Sequence, residues 1–168
     1  VIFPTETVYG IGAIARSMAA VEKLRIAKQR DHSQPFTLHI SDPAQLEDWM
    51  PRPGETAQCL MDAFWPGPLT IIFPVGEQGL GVRLPSHPVA RALIEKTGPL
   101  LVSSANRSGA DPAITLPAAV TAIGDHSTVV IDSGPASGGE SSTLFLSLGF
   151  SACDSLTTCQ IPHVHISP

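Results

Sequence analysis

An α/β fold is what this sequence predicts, on three observations. Short apolar runs of strand character alternate along the chain with segments of helical spacing. The 16 prolines punctuate those segments and form no linker. The apolar run 100–103 ends in a small polar loop, which is where open α/β sheets carry their ligand sites. At 168 residues the chain is one domain's worth, enough to close a hydrophobic core. Apolar residues make up 43% and charged residues 15%, which excludes a disordered chain. Every apolar run stops well short of a membrane span and the opening residues lack a signal-peptide pattern, so a soluble cytoplasmic protein with no membrane contact is expected. Cys59, Cys153 and Cys159 follow no disulfide-framework spacing.

The elements follow in order. Val1-Ile2-Phe3 has strand character from the first residue, so the chain is expected to be a fragment whose first element is missing. Pro4 to Gly12 is a strand leaving into a polar, Gly-bearing loop. Over 17–28, Val21, Leu24 and Ala27 fall at helical spacing behind Ser17 as N-cap. The turn chemistry of Asp31-His32-Ser33-Gln34-Pro35 stops that helix near Arg30. Residues 36–40 alternate with period two: Phe36, Leu38 and Ile40 on one face, Thr37 and His39 on the other. Helices are expected over 42–49 and 55–64, then a stiff turn, Trp65-Pro66-Gly67-Pro68, feeding a buried strand over 69–75. The second half repeats the style, with strands over 79–84, 100–103 and 129–131 and helices over 89–96 and 117–123. From about Leu146 the chain reads as an irregular tail.

Charge is uneven. All ten Lys and Arg lie at or before Arg107, and five later acids supply the net charge of -5. A net-acidic chain is a poor candidate for binding nucleic acid over a broad surface. Lys23, Arg25, Lys28 and Arg30 form a local exception: an anion site or a solvated basic helix end favoured by the macrodipole. On a regular helix Lys28 and Arg30 would sit about 200° apart, so they converge only if the helix ends between them. An ammonium beside a forked guanidinium suits phosphate oxygens. Ser103-Ser104-Ala105-Asn106 at a strand end is either a donor set for an anion or an ordinary turn. His39 could bond a substrate or satisfy a neighbour. Neither a GxxxxGK[ST] loop nor a full GxGxxG fingerprint is present. Cys153, Cys159, His163 and His165 match no standard zinc spacing.

Six strings, in order, resemble one family: PTETVYGIGA at 4–13, Lys28-x-Arg30 followed by Gln34-Pro35 and His39, WPGPLT at 65–70, VRLPSHP at 82–88, SSANRSG at 103–109 and SST at 141–143. The family is YrdC/TsaC (Sua/YciO/YrdC), the threonylcarbamoyl-AMP synthases. The resemblance covers about 1–145 and implies a twisted mixed α/β sheet with flanking helices around a positively lined concave cavity. It implies the reaction of L-threonine, bicarbonate and ATP to threonylcarbamoyl-AMP and pyrophosphate, with Mg²⁺ on the nucleotide and no protein-held metal. The product would feed threonylcarbamoyladenosine formation at position 37 of tRNA through a separate transferase complex; tRNA or double-stranded RNA is a further possible partner.

By resemblance, Lys28, Arg30, Ser104 and Asn106 grip the ATP phosphates, with Gln34 near the nucleotide. Thr7, His39, Arg83 and Ser142 line the threonine or carbamate pocket. Two alternatives are a carbamoyl-adenylate-forming domain of a carbamoyltransferase and a non-catalytic RNA-binding module. After Thr143 the chain departs from the family, and no Lys or Arg follows Arg107. Residues 146–168 are therefore expected to be a tail unlike the family, as if truncated or read in another frame.

Overall fold

The computed structural model describes residues 1–77, 79–107 and 109–146. Seven strands form one sheet: β1 (Ile2–Phe3), β2 (Gly10–Ile14), β3 (Thr37–His39), β4 (Leu69–Phe73), β5 (Leu80–Arg83), β6 (Leu100–Ser104) and β7 (Thr143–Leu146). Four α-helices flank it: α1 (Met18–Lys28), α2 (Glu55–Phe64), α3 (Pro88–Thr97) and α4 (Leu116–Ile123). The strand order is β1-β2-β6-β3-β5-β4-β7. Only β3 with β5 and β4 with β7 pair in parallel, so the sheet is mixed, as the resemblance implied.

Alternation assigns each strand residue a face. Leu38, Val82, Ile71 and Phe145 sit in one cross-strand row. They meet Leu46, Met50, Leu60 and Met61 from α2 and its preceding turn. Farther along the same face, Tyr9, Ile11 and Ala13 pack against Leu24 and Ala27 of α1 and Ala119 and Ile123 of α4, with Leu101 bridging the two clusters. On the opposite face α3 covers only one end, where Ala90 and Ile94 contact Phe3, Leu100 and Val102. That leaves the other face of β3, β5 and β4 for something other than a core.

Local chemistry accounts for the boundaries. Ser17 caps α1 by accepting the Ala20 N–H, and Gln29 ends it in the left-handed region at φ 49°. Pro at the first turn starts both α3 and α4.

The helix expected over 42–49 is present as a 3₁₀ helix at Pro43–Asp48. Pro43 and the Asp42–Gln45 capping box start it, and i→i+3 bonds such as Trp49 N–H to Leu46 O tighten it. The strand expected over 129–131 is an isolated bridge, Ile2 to Val130, flanked by single backbone bonds. Phe36, Leu38 and Ile40 are buried on the helix-covered face as expected, with Phe36 in the α1 cluster and the other two in the α2 cluster. β7 was not foreseen at all. The tail expected from Leu146 begins as its last strand residue, and 147–168 lie outside the described residues, with Cys153, Cys159, His163 and His165 among them.

Candidate active site

The uncovered face carries a second cross-strand row, one residue out of phase with the core row: His39, Arg83, Thr70 and Leu144. Thr37, two residues before His39, points the same way. These side chains form the floor of a cavity of about 260 Å³. Thr5, Thr7 and Val8 rim it from the loop after β1, Ser103 and Ser104 from the end of β6, and Ser141 and Ser142 from the segment entering β7. Gly10 belongs here because a Cβ would sit 3.1 Å from Val102 Cγ1, closing the gap between β2 and β6.

Arg83 is the buried cation of the floor. Its Nη2 donates to Glu6 Oε1 at 2.7 Å and Thr7 Oγ1 at 3.0 Å, and its Nε to the Gly67 carbonyl at 3.3 Å. Burial pushes the Glu6 carboxyl up, but the charge and hydrogen bond of Arg83 outweigh it and hold the group below the usual carboxylate range. His39, beside Arg83, is pushed down to about 3 by burial and then by the Arg83 charge, so its ring is neutral at physiological pH. Its Nδ1 is buried without a hydrogen-bond partner among the described residues, a group poised for a ligand. Two hydroxyl pairs add donors and acceptors: Thr5 with Thr7 at 2.9 Å and Thr70 with Ser142 at 3.0 Å.

Arg30 supplies the cation on the other wall. The left-handed Gln29 breaks the helix between Lys28 and Arg30, the break that convergence requires. The outcome is a division: Arg30 lines the cavity, whereas Lys28 runs beneath the β6 loop. Arg30 is held by Nη1 donating to the Pro35 carbonyl and by the Phe36 ring 5.1 Å from its guanidinium carbon. Its Nε is buried without a hydrogen-bond partner among the described residues.

Lys28 Nζ donates to the Ser104 carbonyl at 2.8 Å and to the Asn106 carbonyl, clamping the loop that carries both residues. Burial first, and then Arg30, pushes its ammonium down to about 8. Asn106 Nδ2 donates to the Arg107 and Ala110 carbonyls, so this side chain shapes the loop and does not line the cavity. Gln34 is exposed in the turn after Arg30 and also lies outside the lining.

Of the nine residues singled out in the sequence, six share the cavity: Thr7, Arg30, His39, Arg83, Ser104 and Ser142. Ser103, part of the candidate donor set at the strand end, lines it too, as do Thr5, Thr37, Thr70 and Ser141, which were given no role. A signal existed for each. Thr37 shares the His39 phase, Thr70 closes the WPGPLT string, and the others sit inside the PTET, SSAN and SST strings.

Fold and site define a class: a mixed α/β domain with a cationic, hydroxyl-rich cavity on the uncovered face of its sheet. The Sua5/YciO/YrdC family model, described as "Telomere recombination", matches residues 1–148, and the chain belongs to that family. It is 38% identical over 156 residues to a threonylcarbamoyl-AMP synthase of Bacillus subtilis, covering 86% of this chain and 45% of that protein. It is 34% identical over 149 residues to a threonylcarbamoyl-AMP synthase of Idiomarina loihiensis, covering 79% of this chain and 78% of the relative. The structure matches that of P. abyssi Sua5 complexed with L-threonine with a TM-score of 0.83 and 34% identity, over 87% of this chain and 46% of that one. The chain thus spans a little under half the length of the Bacillus and Pyrococcus proteins.

Proposed function

We propose that this domain makes threonylcarbamoyl-AMP and pyrophosphate from L-threonine, bicarbonate and ATP. The observation that carries the reading is one cavity holding Thr7, His39, Arg83 and Ser142 together with Arg30 and Ser104. A similar structure was solved as a complex with L-threonine.

The chemistry asks for no protein nucleophile. The threonine amine takes up the carbon of bicarbonate with loss of water, a carbamate oxygen of the resulting N-carboxythreonine attacks the α-phosphorus, and pyrophosphate leaves. The barrier lies in bringing two anions together and in the charge that grows on phosphate oxygens. Arg83 orients the amino-acid end, with the neutral His39 and the hydroxyls of Thr7 and Ser142 fixing its polar groups. Arg30 and Ser104 face the phosphates, while Lys28 and Asn106 hold the Ser104 loop and place a cation beneath it. Gln34 borders the nucleotide from the turn after Arg30.

Mg²⁺ bound with the nucleotide would neutralise phosphate charge. Among the described residues no carboxylate lines the cavity, Glu6 behind it is engaged by Arg83, and no group of three or more His, Cys, Asp or Glu gathers. That donor set fits an ion carried by ATP. The product is a mixed anhydride, which a tRNA-modifying transferase complex would consume in the cytoplasm. No helix among the described residues is long and apolar enough to cross a membrane.

The test is pyrophosphate release from ATP and bicarbonate with and without L-threonine, with the adenylate identified by mass. Threonine-dependent release is expected. Release that needs carbamoyl phosphate and ignores threonine would overturn the reading in favour of a carbamoyltransferase-type domain.

A further inference from the structure

Glu6 does not line the cavity, yet three of its oxygens organise it. Oε1 accepts from Arg83 Nη2 at 2.7 Å, and Oε2 accepts the His87 N–H at 3.3 Å, just before the first turn of α3. Its backbone carbonyl accepts the Gly138 N–H at 2.9 Å and the Ser137 hydroxyl at 3.3 Å, which seats the segment leading to Ser141 and Ser142. The ion pair is well enclosed, with side-chain exposures of 5% for Arg83 and 15% for Glu6.

The guanidinium geometry gives this a consequence. With Nε given to Gly67 and Nη2 shared by Glu6 and Thr7, Nη1 is the group left without a hydrogen bond among the described residues. A guanidinium is planar, so fixing Nε and Nη2 also fixes the direction of Nη1. The carboxylate also cancels the Arg83 charge. Arg83 then acts as an aimed donor for one carboxylate, and Arg30 is the cavity cation that no carboxylate pairs among the described residues, left for polyphosphate.

We propose that Glu6 is a positioning residue, holding Arg83 so that Nη1 is presented to the carboxylate of the amino-acid substrate. The proposal rests on the threonine reading given above. His87 is a part of the same device: its N–H anchors the second Glu6 oxygen, so the arginine is referenced to the start of α3.

Two measurements on Glu6→Gln test it. The side-chain ¹⁵N spectrum of Arg83, assigned by its loss in Arg83→Lys, reads the hold directly. Wild-type protein should show separate, slowly exchanging Nη signals, and Glu6→Gln should merge them. In threonine-dependent pyrophosphate release, Glu6→Gln should raise KM for L-threonine by about 10- to 100-fold while KM for ATP moves by less than about twofold. Glu6→Asp should recover part of both. Asp48→Asn, which removes the exposed partner of Arg16, should change neither. Unchanged Arg83 signals in Glu6→Gln, or parallel rises in both KM values, would overturn the proposal. Wild-type protein without threonine-dependent release would count against the functional reading alone, because the Arg83 spectrum still decides the role of Glu6.

Discussion

Arg30→Ala isolates the electrostatic heart of the proposed reaction. Of the chain's ten Lys and Arg, only Arg30 and Arg83 line the cavity, and Arg83 is neutralised by Glu6. Among the described residues Arg30 is therefore the one cation of the lining without a carboxylate partner. Removing a preorganised group of that kind from a site where charge develops costs about 3–4 kcal/mol, or about 10²- to 10³-fold in kcat. The structural cost is smaller. Alanine loses one exposed hydrogen bond to the Pro35 carbonyl and the contact with the Phe36 ring, together about 1–2 kcal/mol. Arg25, 5.2 Å from the same ring, remains to cover it. For a domain of this size the melting midpoint should fall by about 2–8 °C, which leaves a folded protein at 25 °C.

The assay is threonine-dependent pyrophosphate release at saturating ATP, with a melt on the same sample. Arg30→Lys should recover part of the loss, since it keeps the charge without the fork. A folded Arg30→Ala protein that releases pyrophosphate within about threefold of wild type would refute the assignment, since no other cation in the lining could replace it.

Three further outcomes are expected. Lys28 titrates near 8 in the fold against 10.5 when unfolded, so the folded state penalises its charged form; stability should rise between pH 8 and 10.5 and kcat/KM for ATP should fall above pH 8. Urea midpoints and rates across that range check both, and a Lys28→Met protein with the same slopes would refute them. His39 should stay neutral, with ring NMR signals flat from about pH 5 to 8. Its pKa is lowered from 6.5 to about 3, so its contribution to stability should be lost as pH falls from 6.5 toward 3. A ring titrating near 6.5 would contradict its burial. Leu38→Ala, at a fully buried position in the core row, should cost about 2–5 kcal/mol by urea unfolding; a loss below about 1 kcal/mol would show that the sheet does not pack as described.

Much of this was legible because alternation and capping are local. Leu38 against His39 reads off period two, and the boundaries of α1 read off Ser17 and the 31–35 turn. What stayed hidden depends on partners distant in sequence. β7 is a four-residue edge strand with Leu144 62% and Leu146 54% exposed, and its existence depends on lying parallel to β4 about 70 residues away. Lys28 illustrates the same point at the site. Sequence spacing put it beside Arg30, but its role is decided by the carbonyls of Ser104 and Asn106, which only the pairing of β6 with β2 and β3 brings above α1.

The core and the cavity are two readings of one register. Leu38, Val82 and Ile71 face the helices because His39, Arg83 and Thr70, each one residue out of phase with them, face the other way. A one-residue slip of β5 would bury the Arg83 guanidinium among Leu60, Met61 and Phe73 and turn Val82 into the cavity. Burying an unpaired charge in that way costs far more than a buried valine gains, so Arg83 itself enforces the register. Glu6 then completes the arrangement from outside the sheet, since its carboxylate is the counter-charge that makes a deeply placed arginine tolerable on the cavity side. The polar face is therefore part of what specifies the fold, and substitutions that weaken the Glu6–Arg83 pair should loosen β5 as well as the cavity floor.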